Sequence, residues 1–348
     1  MAGTGDADDE GRVLMDALAL PPSTYMSQQA RRTFARAMAD TPVLDTRSVQ
    51  SFRRAMDEHL FAPAIATARS AFPVTVTEER IADVPVRRVS PAQGARPDRI
   101  LIGLHGGGFR MGGGASSIAD AIPMAAATGL AVVSIDYRLA PEHVFPAARD
   151  DVLAVYRALL ADYPANAIGL YGIDAGGTLA AMSVATLIRD GLPRPAALGI
   201  FSAAATFERD GDSMHLGPAT TGHGAGRQPN PLITSGKALT MIDEATGLPP
   251  RPFVTEEDQR DPVVTPDLFP DILAHFPPTL LMVGGRAPPL SAATMTKRRM
   301  TAAGAEADLM VWDGLWHTFL YDVDLPEARE AYAAAARFFA RHFGRAAR

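Results

Sequence analysis

Five short stretches of this chain are almost wholly apolar and run up to glycines or small polar residues. They are "RILIGLHGGGF", "GLAVVSIDYR", "AIGLYGIDAGG", "AALGIFSAAAT" and "PPTLLMVGG". Runs of that length, with no polar alternation, fit strands buried on both faces of a parallel sheet. Helical stretches separate them, among them "AARDDVLAVYRALLADY", "TLAAMSVATLIRDG" and "AATMTKRRMTAAG". A last strand is expected in "ADLMVWDG". Strand alternating with helix predicts an α/β class chain, its mostly parallel central sheet covered by helices on both sides.

Upstream, "VTVTEERIADVPVRRVSP" alternates like two antiparallel strands joined at "ADVP". From about Val13 to Ser70 the pattern is amphipathic helix, as in "SQQARRTFARAMAD". The C-terminal helix is marked by Pro326 in its first turn and Gly344 at its end. Tyr332, Ala335, Phe339 and Phe343 share one of its faces. Residues 1–72 are therefore read as a disordered N-terminus followed by a helical cap, and 73–348 as the catalytic domain. Residues 1–12 lack periodicity. The stretch 206–255, with "DGDSMHLGPATTGHGAGRQPNP", interrupts the alternation and reads as a lid insert.

Composition narrows the partners. A net charge of −6 with no basic cluster argues against nucleic acid. The absence of cysteine excludes disulfides, thiolate metal sites and cysteine nucleophiles. No apolar run reaches the ~18 residues of a membrane span. The opening "MAGTGDADDEGR" resembles neither a secretory signal nor an anchor, so a cytoplasmic protein with a small-molecule substrate is expected. His215 and His223, near Asp210 and Asp212, match no metal-binding spacing. Neither a metal nor a cofactor is implied.

Four blocks carry the chemistry: "HGGGF" at His105–Phe109, "DYRLAPEHVFPAARDD" at Asp136–Asp151, "GIDAGG" at Gly172–Gly177, and "WDGLWHTF" around His317. Together, over about residues 75–345, they resemble the hormone-sensitive-lipase-like branch of the α/β-hydrolase superfamily, which includes many bacterial carboxylesterases. The resemblance implies the α/β-hydrolase fold and a homodimer. It also implies a nucleophile elbow at residue 174, His317 as base, and an oxyanion hole from the N–H groups of Gly106, Gly107 and Ala175. His105 and His143 read as parts of the loop scaffold. Phe109, Arg110 and Trp316 are candidate substrate contacts: Arg110 for an anionic group, Trp316 through its N–H.

Two departures alter the chemistry. The family pattern has serine at the elbow, where this chain has Asp174. The acid expected after "LLMVGG" falls on Ala287 or, in another register, Pro289, and neither can orient a histidine. Aspartate tolerates the elbow backbone, but its attack on an ester carbonyl would make an uphill mixed anhydride. Three readings survive. The leading one pairs Asp174 with His317 for acid–base chemistry without ester hydrolysis (elimination, cyclisation, isomerisation or C–C cleavage) on a small apolar substrate. In the second, Asp174 attacks an alkyl halide, epoxide or ester substrate, as haloalkane dehalogenases and epoxide hydrolases of the superfamily do. The third is an inactive protein that binds a small ligand.

Overall fold

The computed structural model describes residues 6–7, 13–14, 21–39, 48–207, 211–220 and 252–344. Within the stretch expected to lack order, Asp6–Ala7 pairs antiparallel with Val13–Leu14. A ladder so short rests on main-chain hydrogen bonds, which side-chain periodicity does not register. Most of the lid candidate, residues 208–210 and 221–251, lies outside the described residues.

The N-terminal helices are α1 (Gln28–Ala39), α2 (Val49–Met56) and α3 (Ala62–Ala71). A π-helical turn, Asp57–Phe61, joins the last two. Ser48 caps α2 in a capping box with Ser51. Helix α1 packs on the C-terminal helix, and Met26, Ala30 and Phe34 are buried in the core there.

The sheet has eight strands: β1 (Val74–Ile81), β2 (Val84–Pro91), β3 (Ile100–Leu104), β4 (Ala131–Ile135), β5 (Ile168–Ile173), β6 (Ala197–Phe201), β7 (Thr279–Gly284) and β8 (Ala307–Trp312). Their order across the sheet is β8-β7-β6-β5-β3-β4-β2-β1. All neighbours are parallel except at β2, which runs antiparallel to both β1 and β4. Ala82 and Asp83, at φ 48° and 61°, make the two-residue hairpin turn that matches strand twist. Every residue of β3 through β7 is buried, as their unbroken apolar runs require.

The covering helices are α4 (Ala121–Thr128), α5 (Ala147–Leu159), α6 (Ala175–Arg189), α7 (Asp212–Thr220), α8 (Pro270–Leu273), α9 (Leu290–Ala302) and α10 (Pro326–His342). Tyr332, Ala335, Phe339 and Phe343 are buried as a group on α10 and its end. Helix α3 packs on α4. The parallel strands all point their C-terminal ends to one edge, and loops from β3, β5, β7 and β8 meet there.

Candidate active site

The turn from β5 into α6 holds Asp174 at φ 52°, ψ −125°, a conformation that costs about 1–3 kcal/mol for a residue other than glycine. Packing enforces it. A Cβ on Gly172 would lie 2.1 Å from the Gly176 carbonyl oxygen, and one on Gly176 would lie 2.0 Å from that of Leu104. The Asp174 N–H is anchored on the Phe201 carbonyl at 2.8 Å. Only glycines at 172 and 176 let the strand, the turn and the "HGGG" loop approach this closely.

The two carboxylate oxygens of Asp174 have different surroundings. Oδ2 accepts the N–H groups of Gly107 at 2.8 Å and Gly108 at 3.0 Å. Oδ1 faces His317 Nε2 at 3.1 Å. The Ala175 N–H also bonds to the carboxylate. Burial alone would raise this carboxyl group's pKa. The hydrogen bond and charge of His317, with the Gly107 and Ala175 donors, outweigh it and hold the group well below the usual carboxylate range. Asp174 therefore occupies the place where a substrate oxyanion would sit.

The donor set differs by one residue from expectation. Gly106 lies against Asp174, where an added Cβ would come within 3.1 Å of the Asp174 Cβ, but its N–H donates to the Tyr321 hydroxyl at 3.3 Å and not to the carboxylate. Gly108 takes its place beside Gly107. The left-handed turn at Gly107 (φ 121°) and Gly108 (φ 59°) reverses the chain there. A Cβ on Gly107 would lie 2.2 Å from the Met111 carbonyl oxygen, so the loop closes only with glycine at that point.

Phe109 extends this strain, at φ 63°. Its ring is buried and stacks on Phe253 at 3.8 Å and 5°, and on Phe207 at 5.5 Å. The Phe109 carbonyl accepts the Ala140 N–H at 2.8 Å. An aromatic stack thus holds the residue that follows a hole donor. Arg53 of α2 grips the same loop from outside. Its Nε donates to the Arg110 carbonyl at 2.5 Å, an NH2 to the Ala140 carbonyl, and both terminal nitrogens to Glu142 at 2.8 Å.

His317 keeps one partner and lacks another. Its Nδ1 is buried with no hydrogen-bond acceptor. The loops that would bring a triad acid to it do meet, since Arg286 N–H bonds the Leu315 carbonyl at 2.9 Å and Gly285 N–H bonds the Trp312 carbonyl at 2.7 Å. Neither expected position carries an acid, since Ala287 is fully buried and Pro289 caps α9, and the Asp313 carboxylate at this junction lies against Gly285 and accepts from Ser23. Because Asp174 is an acceptor, the neutral ring is most stable with its proton on Nε2 and its lone pair on Nδ1.

Trp316 does not reach this centre. It is 1% exposed and packs against Phe34 of α1, with ring centroids 6.1 Å apart. His105 is buried, stacks on Tyr137 at 4.1 Å and bonds the Gly106 carbonyl through Nδ1, and burial pulls its pKa down. His143 lies in the turn before α5, its N–H on the Leu139 carbonyl. His215 lies on α7, while Asp210 and His223 fall outside the described residues. Among the described residues, no three His, Asp or Glu side chains are grouped to hold a metal. Sequence reasoning missed Gly108, Phe207, Phe253, Arg53 and Tyr321. Only Gly108 stood inside a motif.

This elbow, glycine loop and histidine at the C-terminal edge of an eight-stranded sheet are the working parts of an α/β hydrolase. Residues 101–321 match the α/β hydrolase fold family, and the chain belongs to it, in the hormone-sensitive-lipase-like branch. It is 30% identical over 273 residues to esterase LipU of Mycobacterium tuberculosis, covering 76% of this chain and 84% of that one. The crystal structure of esterase E25 superposes with a TM-score of 0.79 at 29% identity, over 95% and 98% of the two chains. An esterase of the bacterial hormone-sensitive lipase family gives 0.73 at 27% identity, over 91% and 99%. The protein is thus an enzyme of the α/β-hydrolase superfamily. No helix among the described residues is long and apolar enough to cross a membrane.

Proposed function

We propose that this enzyme is a hydrolase in which Asp174 is the nucleophile toward an sp³ carbon bearing a leaving group, a halide or a strained epoxide oxygen. The observation that carries the reading is the division of labour between its oxygens, Oδ2 in the hole and Oδ1 beside His317. Attack by Oδ1 forms a carbon–oxygen bond while the leaving group departs with the bonding pair. Oδ2 becomes the carbonyl oxygen of the alkyl ester, already seated among main-chain donors. With Oδ1 esterified, the ring proton moves to Nδ1, and water adds to Cγ as Nε2 of His317 takes its proton. The charge on Oδ2 is held by Gly107, Gly108 and Ala175. Collapse expels the alcohol oxygen, which takes that proton from Nε2, leaving the carboxylate.

Acid–base chemistry without a covalent step ranks second. The lone pair of the neutral imidazole lies on buried Nδ1, away from any substrate, and the donor-rich surroundings of Asp174 make it a weak base. The N-terminal helices α1–α3 serve as the cap in this reading, and Arg110 is kept as an anion contact. A homodimer and a cytoplasmic setting belong to the reading as well.

The test uses 4-nitrobenzyl bromide and styrene oxide in ¹⁸O-water, with peptide mass spectrometry. An alkyl adduct on Asp174, replaced after turnover by ¹⁸O in its carboxylate, is the expected result. Because Nδ1 has no acceptor to favour its protonation, ester breakdown should lag and the adduct accumulate. Turnover with neither adduct nor label at Asp174 overturns the proposal. Loss of that turnover in both Asp174→Ala and His317→Ala would then favour proton transfer. Ligand binding with no product from any probe would indicate a binding protein.

A further inference from the structure

Behind the "HGGG" loop lies a polar group that the chemistry above does not use. Asp120, at the start of α4, is 2% exposed. Tyr171 of β5, Tyr332 of α10 and Tyr321, in the short turn after His317, are its titratable neighbours. No lysine, arginine or histidine contributes to its electrostatics among the described residues. Oδ1 of Asp120 and the hydroxyl of Tyr332 are buried without a hydrogen-bond partner. A concentration of orphaned polar atoms in a protein interior needs a reason. Tyr321 is the member of the group that reaches the site.

We propose that Tyr321 is a positioning residue for the oxyanion loop: by accepting the Gly106 N–H it turns that donor away from Asp174 and presents the next two, Gly107 and Gly108. The geometry is specific. Tyr321 OH would lie only 2.7 Å from a Cβ at Gly106, so the contact requires glycine there and fixes the loop's register. Phe61, delivered by the π-helical turn, packs edge-on against the Tyr321 ring at 5.7 Å and prevents the ring from swinging away.

Burial pushes the Asp120 carboxyl up to about 7 and the three phenols well above their ordinary value, with the Asp120 charge adding to the effect on each. The phenols therefore stay protonated while Asp120 changes charge near neutrality.

The test follows backbone amides in ¹⁵N-labelled protein, which needs no substrate and is independent of how Asp174 reacts. Tyr321→Phe keeps the ring and its contact with Phe61 and removes only the acceptor. The Gly107 and Gly108 amide protons, deshielded by the carboxylate, should move upfield. Their exchange protection should fall by roughly tenfold or more, while mid-α6 amides hold theirs. Unchanged Gly107 and Gly108 amides in folded Tyr321→Phe overturn the proposal. Should Tyr321→Phe not fold, Phe61→Ala removes the ring that holds Tyr321 edge-on and is expected to lower the protection of the same two amides, and unchanged protection there overturns the proposal.

Discussion

Replacing Asp174 with serine should raise ester hydrolysis well above that of the parent protein. The depressed pKa of Asp174 keeps its carboxylate ionised across the working pH range, so the oxyanion site is filled by the protein itself. A serine hydroxyl is shorter and uncharged. It leaves the N–H groups that bond Oδ2 at 2.8 and 3.0 Å free for a substrate oxygen. It also gives His317 Nε2, now 3.1 Å from Oδ1, a proton to take. One such donor is worth about 10²–10³ in kcat, so p-nitrophenyl acetate hydrolysis should rise by at least about 10² over the parent. A misoriented histidine limits it: losing the triad acid costs a serine protease about 10⁴. Adding Ala287→Asp should recover about 10- to 100-fold of this if the new carboxylate reaches Nδ1. The assay is initial rate with p-nitrophenyl acetate and butyrate, with phosphonate labelling of the introduced hydroxyl read by peptide mass. A folded Asp174→Ser protein no faster than its parent and unlabelled would refute the claim that the carboxylate is what blocks the hole. Robust parent turnover blocked by the same phosphonate would refute the site assignment.

Other expectations follow from single contacts. Between about pH 4 and 7 folded Asp120 holds a proton that the unfolded chain has lost, so rising pH favours unfolding. Asp120→Asn removes this penalty, and its stability relative to the parent should improve from pH 5 to pH 8 by an amount on the order of 3 kcal/mol; a constant difference in denaturant melts contradicts the burial argument. Phe253→Ala removes the ring stacked at 3.8 Å on Phe109 and should cost about 3 kcal/mol in urea unfolding. Arg53→Met orphans the carbonyls of Arg110 and Ala140 and frees Glu142. It should cost about 2 kcal/mol and expose the segment 105–112 to faster hydrogen exchange. Gly176→Ala, whose new methyl would lie 2.0 Å from the Leu104 carbonyl oxygen, should give no folded protein on expression.

The sheet was legible because its strands are uniform: an apolar run buried on both sides needs no partner to be recognised. The hairpin was legible for the opposite reason, its strict alternation. Helix α4 escaped notice because "AIPMAAAT" is apolar all round and carries no amphipathic period. At the site, the pairing of Asp174 with His317 followed from motif order alone. The identity of the second donor did not, since it depends on which glycine of three takes the left-handed turn. Trp316, readable from sequence either as a core residue or as a substrate contact, is buried in the core against Phe34, since adjacency in sequence to His317 says nothing about which side of the loop a ring occupies. Phe207, Phe253, Tyr321 and Asp120 come from separate elements, and only the folded chain brings them to one loop.

The elbow's shape is dictated by Gly172, Gly176 and the neighbouring main chain, with no help from the side chain at 174. It is a socket that delivers whatever residue it holds to one point in space. Exchanging that residue alone can therefore swap one reaction for another while the surrounding architecture stays intact, so a saturation library at this codon would sample chemistries rather than folds.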